Sequence, residues 1–284
     1  MAEGSFSARS LTSGGLMKMK WNIAVVLILF ALPFVSCHHK KKESIFDVGK
    51  KSDSELYQLG QQYMAKKNWP KARDTFKVVF ENFPKSDYRI LSKLAYADCY
   101  YKEGGDANYL LAITEYQDFI SLFPFSPKAE YAQFQVGMSY YHMMERADRD
   151  QTNTHKALDE FRKVLDNYPK GEHYQEAYDK LLSCYTRLAD HDYGIAHYYE
   201  RTGKYGAAVE RVKALLKAYP EAVHSSAHYY TLAHSLEELR QYPESCSYYA
   251  KILEKWPKSD EASNAKSHES KVCGSTQTQQ ISTQ

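Results

Sequence analysis

Glycine is scarce, 13 in 284 residues, and few segments alternate polar and apolar residues with period two. Together these shortages exclude a hairpin-built sheet protein and leave helices as the main element. Charge of one sign is missing too. Lys and Arg exceed Asp and Glu by two, which offers no basic stripe for a nucleic acid. No Gly-rich phosphate loop, no GxSxG elbow and no HxxxH pair enclosing a glutamate occurs, so the usual signatures of an enzyme are absent. No CxxC is present, and Cys99, Cys184, Cys246 and Cys273 are widely spaced. An oxidising compartment would permit disulfides, but Cys99, Cys184 and Cys246 sit in helical patterns and read as small core residues. No apolar run reaches the ~20 residues that a spanning helix takes.

What is there begins near the N-terminus. Lys18 and Lys20 precede the uncharged segment Trp21 to Ser36, whose centre is Ile23-Ala-Val-Val-Leu-Ile-Leu-Phe30. A basic start, a short apolar core and small residues before a cleavage point make a secretory signal over 1–36. Leu32-Pro-Phe-Val-Ser-Cys37 closes it and resembles a lipobox, with Phe34 where Leu is usual. The resemblance implies diacylglycerol on the Cys37 sulfur and an N-acyl chain on its amine. Each buried methylene contributes roughly 0.8 kcal/mol, so such chains hold a domain on a membrane. By the same analogy His38, where Asp would signal inner-membrane retention, favours the outer membrane. Residues 37–53 read as a polar tether, and His38-His39 as part of it rather than a metal site. No other cofactor is expected.

A repeat follows. Phe83-Pro84, Phe123-Pro124, Tyr168-Pro169, Tyr219-Pro220 and Trp256-Pro257 stand 40, 45, 51 and 37 residues apart. Twelve residues before each proline lies a small residue: Ala72, Ala112, Ala157, Ala208 and Ser245. Eight before lies Phe76, Tyr116, Phe161, Val212 or Tyr249. This is the pattern of the tetratricopeptide repeat, a helix–turn–helix unit of ~34 residues. The small residue allows close approach of two helices, the large one fills the gap, and proline ends the second helix. The first helices carry Gly60, Ala97, Gly137, Ala196 and Ala233 as their small residues. We therefore expect an all-α, right-handed solenoid of five repeats, three over 54–169 and two over 170–262. The long interval before Pro220 predicts a rod over 171–200, extended by ~21 Å at 1.5 Å per residue. Residues 263–284 turn polar and read as a disordered tail.

Such an array binds rather than catalyses, through the face built from its first helices. Positions three before, one after and four after the small residue should line it. These are Tyr57, Gln61 and Met64; Leu94, Asp98 and Tyr101; Phe134, Met138 and Tyr141. Tyr offers a large surface with few torsions to freeze, and Met adapts. An extended segment with aromatic side chains is the expected guest. His191 between Asp190 and Asp192 on the rod could pair with either, but reads more simply as part of a solvated helix kink.

Two segments narrow the reading further. Arg146-Ala-Asp-Arg-Asp150, with Lys156-Ala-Leu-Asp-Glu-Phe161 and Tyr168-Pro169, resembles the third repeat of the BamD family of outer-membrane lipoproteins. Tyr193-Gly-Ile-Ala-His-Tyr-Tyr-Glu-Arg-Thr-Gly203, with Ala207-Ala-Val-Glu-Arg-Val212, is similar to its fourth. The likeness covers about 37–258. It implies a non-enzymatic scaffold of the β-barrel assembly machine, on the periplasmic face of the outer membrane. The implied partners are a BamA-like POTRA/β-barrel protein, other lipoproteins of the machine and unfolded β-barrel proteins. Position in the fourth repeat makes Arg211 the expected salt-bridge contact with BamA. The competing reading is a different periplasmic repeat lipoprotein that coordinates cell-wall or division factors.

Overall fold

In the computed structural model, residues 51–222 and 224–281 are described, with side chains through Cys273. Cys37, His38, His39 and the signal segment lie outside the described residues. Within them there are eleven helices: α1 (Asp53–Ala65), α2 (Trp69–Asn82), α3 (Tyr88–Glu103), α4 (Asp106–Leu122), α5 (Ala129–His142), α6 (Thr152–Asn167), α7 (Tyr174–Arg201), α8 (Tyr205–Ala218), α9 (Ser226–Glu238), α10 (Tyr242–Lys255) and α11 (Asp260–Ile281). Each packs against the next, which is the tetratricopeptide arrangement. Ser52 starts the stack with a capping box: its hydroxyl accepts from the Glu55 N–H, and the Glu55 carboxylate accepts from the Ser52 N–H.

The repeat pattern has a steric meaning. Ala72, Ala112, Ala157, Ala208 and Ser245 are fully buried, and so are Phe76, Tyr116, Phe161, Val212 and Tyr249. A Cβ on Gly60 would stand 2.6 Å from the Phe76 ring, and one on Gly137 would stand 2.7 Å from Phe161. Only glycine lets those rings lie flat against the first helix. Phe83, Phe123, Tyr168, Tyr219 and Trp256 each cap the end of an even-numbered helix, with φ between −120° and −134° and ψ between 55° and 67°. That is non-helical backbone, as the following proline requires.

The rod expected over 171–200 is one unbroken helix, Tyr174–Arg201, entered through a turn at 171–173. α7 runs for 28 residues and contributes Ala177, Leu181, Cys184 and Leu188 to one core, then Ala189 and Ala196 to the next.

Two expectations are corrected at the C-terminus. The segment 263–284, expected to be a disordered tail, is helical as far as Ile281 in α11. Ala262 and Ala265 are buried, and His268 hydrogen-bonds Glu237 of α9 at 2.9 Å. Cys246 is not a free core thiol: it forms a disulfide with Cys273 that ties α11 to α10. Cys99 and Cys184 are buried thiols, as read from the sequence, and burial pushes both up to about 12. They stay protonated and unreactive at neutral pH.

Candidate functional site: the face of the odd-numbered helices

The odd-numbered helices stand side by side and touch through their polar tips. In the first half the seam is aromatic. Tyr57 of α1 stacks on Tyr88 of α3, with ring centres 5.0 Å apart, and accepts a hydrogen bond from Gln61. The Tyr101 hydroxyl of α3 bonds the ring nitrogen of His142 on α5 at 3.0 Å, and Tyr109 stacks on that imidazole. Tyr141 of α5 pairs with Ser183 of α7 at 3.0 Å, beneath the ammonium of Lys180. Burial raises the Tyr101 phenol to about 12, and burial followed by the Lys180 charge lowers the His142 imidazole. Both are therefore neutral at pH 7.

Only part of the expected lining is on this surface. Tyr57, Tyr101 and Tyr141 are half-buried and keep polar tips on it. Met64, Phe134 and Met138 are corrected: they are buried, and belong to the packing between repeats. Phe134 is covered by Phe161 and by His173 from the turn before α7. Met64 packs with Ala72, Phe76 and Cys99, and Met138 lies in the core that joins α5, α6 and α7. Leu94 is buried as well. Asp98 is a hub instead of a contact, since its carboxylate accepts from the hydroxyls of Tyr116 at 2.6 Å and Tyr131 at 3.0 Å. Burial raises its pKa, and the two phenols oppose the rise.

Beyond α6 the seam becomes ionic. Glu200 of α7 accepts from Thr231 at 3.0 Å and pairs with His234 at 2.8 Å, both on α9. Glu237 of α9 accepts from the buried Tyr249 and pairs with His268 of α11. Burial works against the Glu200 charge, but the hydrogen bonds from His234, Thr231 and His197 hold its pKa below the usual range.

Arg211 lies on α8, partly exposed, with its guanidinium 3.5 Å from Asp192 of α7. His191 pairs with neither neighbouring aspartate; its Nδ1 lies 2.6 Å from the Ala147 carbonyl. Arg187 donates to the Glu145 carbonyl at 2.9 Å. Both ties fasten the Arg146-Ala-Asp-Arg-Asp150 loop to α7, a role that a helical reading of His191 could not reveal. No group of three or more His, Cys, Asp or Glu among the described residues is placed to hold a metal ion. No described helix is long and apolar enough to cross a membrane.

These features define a helical-repeat protein of the tetratricopeptide type, with its odd-numbered helices aligned in a row. Residues 49–244 match the model of the YfiO family, described as outer membrane lipoprotein, and the chain belongs to that family. Among its relatives, the outer membrane protein assembly factor BamD of Caulobacter vibrioides is 28% identical over 203 residues, covering 72% of this chain and 66% of that protein. The chain thus spans just under two thirds of that relative. BamD of Pasteurella multocida is 24% identical over 216 residues, covering 72% of this chain and 78% of its own length. Of solved structures, the TPR2AB domain of yeast Sti1 in its pHSP90 complex aligns with TM-score 0.41 and 16% identity, over 72% of this chain and 78% of that one.

Proposed function

We propose that this chain is a lipid-anchored scaffold subunit of the outer-membrane β-barrel assembly machine, and that it works by binding alone. The observation that carries the reading is the family match over 49–244, which takes in both the aromatic seam and the Arg211 region. Cys37 holds the chain on the periplasmic face of the outer membrane through its acyl chains. The fourth repeat docks on the POTRA region of a BamA-like protein, with Arg211 reaching an acidic group there. The Arg211 guanidinium lies 3.5 Å from Asp192, a partner that docking would exchange for the acidic group. The seam of Tyr57, Tyr101 and Tyr141 receives the aromatic-ended terminal strand of unfolded barrel proteins. Half-buried tyrosines favour such a guest, because little rotamer freedom is lost on contact.

The test is capture of the full-length chain from native membranes, followed by mass spectrometry. A POTRA-containing barrel protein should come along in near-equal amount, and Arg211→Glu should remove it while the chain stays folded. Cell-wall or division enzymes in its place would overturn the reading in favour of the competing one.

A further inference from the structure

The five turns from an even-numbered helix into the next odd-numbered one share an edge of the stack with the N-terminus of α1. Contacts run along that edge. Asp53 is hydrogen-bonded by Ser86. The Arg89 guanidinium lies 5.7 Å from the centre of the Phe123 ring. Glu130 accepts from the backbone N–H groups of Glu172 at 3.1 Å and His173 at 2.6 Å, and Ser226 donates to Glu261 at 2.7 Å. The residue after each proline is exposed at its turn: Lys85, Phe125, Lys170, Glu221 and Lys258. Four of the five are charged. The other is Phe125, which is 98% exposed. The repeat itself does not require an aromatic there, since four turns close without one. Leu122, three residues earlier, is 53% exposed, and Ile90 and Leu91 at the start of α3 are each 37% exposed.

Chain continuity indicates what meets this edge. Fifteen residues separate Cys37 from Asp53, and they join the stack where α1 begins. Fully extended they reach roughly 50 Å, so an anchor at Cys37 keeps this edge within reach of the bilayer. An exposed aromatic with lysines on either side suits the boundary between headgroups and acyl chains.

We propose that the turn edge centred on Phe125 lies on a phospholipid surface. Phe125 and Leu122 enter the interface, and Lys85, Lys128 and Lys170 sit over the headgroups. The proposal rests on the lipid-anchored reading of Cys37. It adds a second point of attachment, which fixes how the stack faces the membrane, something an anchor on a tether leaves free.

The experiment uses the full lipidated chain carrying Phe125→Trp, bound to vesicles of phosphatidylethanolamine and phosphatidylglycerol with brominated acyl chains. The control is Lys204→Trp, in the α7–α8 turn on the opposite edge. Sedimentation with the vesicles reports the anchor, and quenching reports the edge. The expected result is co-sedimentation, with the added emission at position 125 falling about twofold and that at 204 unchanged, as an interfacial depth implies. Co-sedimentation without quenching at 125 would overturn the proposal and leave the anchor intact. Failure to sediment would remove both. Shielding at 125 in native membranes but not in pure lipid would assign the edge to a protein partner, and would overturn the lipid reading.

Discussion

The first three repeats and the last two share one architecture but are filled differently. In α1–α6 the space between paired helices is taken by Phe76, Tyr116 and Phe161, two of them lying against glycine. In α7–α10 the same positions hold Val212 and Tyr249, opposite Ala196 and Ala233. The face of the odd-numbered helices changes in step, from tyrosine contacts to the pairs Glu200–His234 and Glu237–His268. The first half rests mainly on shape, with Asp98 and His142 as its shifted titrating groups. The second depends on protonation as well, and is fastened further by a disulfide.

That contrast can be broken most severely from the N-terminal side. Phe161→Ala empties a fully buried site opposite Gly137, and should cost about 3–5 kcal/mol in urea unfolding at any pH from 5 to 8. A pH-dependent loss would refute the division. In the C-terminal half, Cys273→Ser opens a link between residues 27 apart and should cost about 3 kcal/mol. Hydrogen exchange should place the loss in α11 and its seat on α10, with α1–α6 unaffected.

The pH contrast has its own probe in His228, 1% exposed, whose pKa burial and then the nearby His224 lower from 6.5 to about 4. Between those values the unfolded chain binds a proton that the folded chain refuses, so stability falls as pH falls. His234 works the other way. Its bond to Glu200 raises its pKa, so its contribution is full below pH 6.5 and is lost as pH rises through the raised value. His228→Gln keeps a residue able to close the capping box with Ser225, and should remove on the order of 2–3 kcal/mol of acid destabilisation. An unchanged acid limb would show that His228 is not its source. The smallest effect concerns Gly194, where an added Cβ would meet nothing within 4 Å. Gly194→Ala should raise stability by about 0.5–1 kcal/mol through helix propensity alone; a loss of stability would reveal a function for that glycine.

Much of this was legible because the repeat restates its rules. An aromatic before proline, a small residue twelve back and a large one eight back mark every even-numbered helix, and each position is buried or capping as its chemistry demands. The face of the odd-numbered helices was legible only in part. Positions three before and four after the small residue lie on the border between the open face and the next odd-numbered helix. Side-chain reach then decides: tyrosines carry a polar tip out, whereas Met64, Leu94 and Phe134 are covered, and Met138, one after its glycine, is drawn into the core. The Cys246–Cys273 link was hidden because Cys273 sits in a polar stretch with no apolar period to mark it as helix. The same lack of period disguised α11, which is held by the bridge, two buried alanines and His268.

The unbroken α7 has a mechanical consequence. At 1.5 Å per residue its 28 residues span about 42 Å. Its two ends are cemented into different cores, with the Arg146–Asp150 loop strapped across the middle by Arg187 and His191. It is a beam, where a chain of repeats joined by turns would be a string of hinges. A load taken up at the tyrosine end is therefore delivered to the Arg211 end as displacement of a stiff member, with little lost to bending on the way.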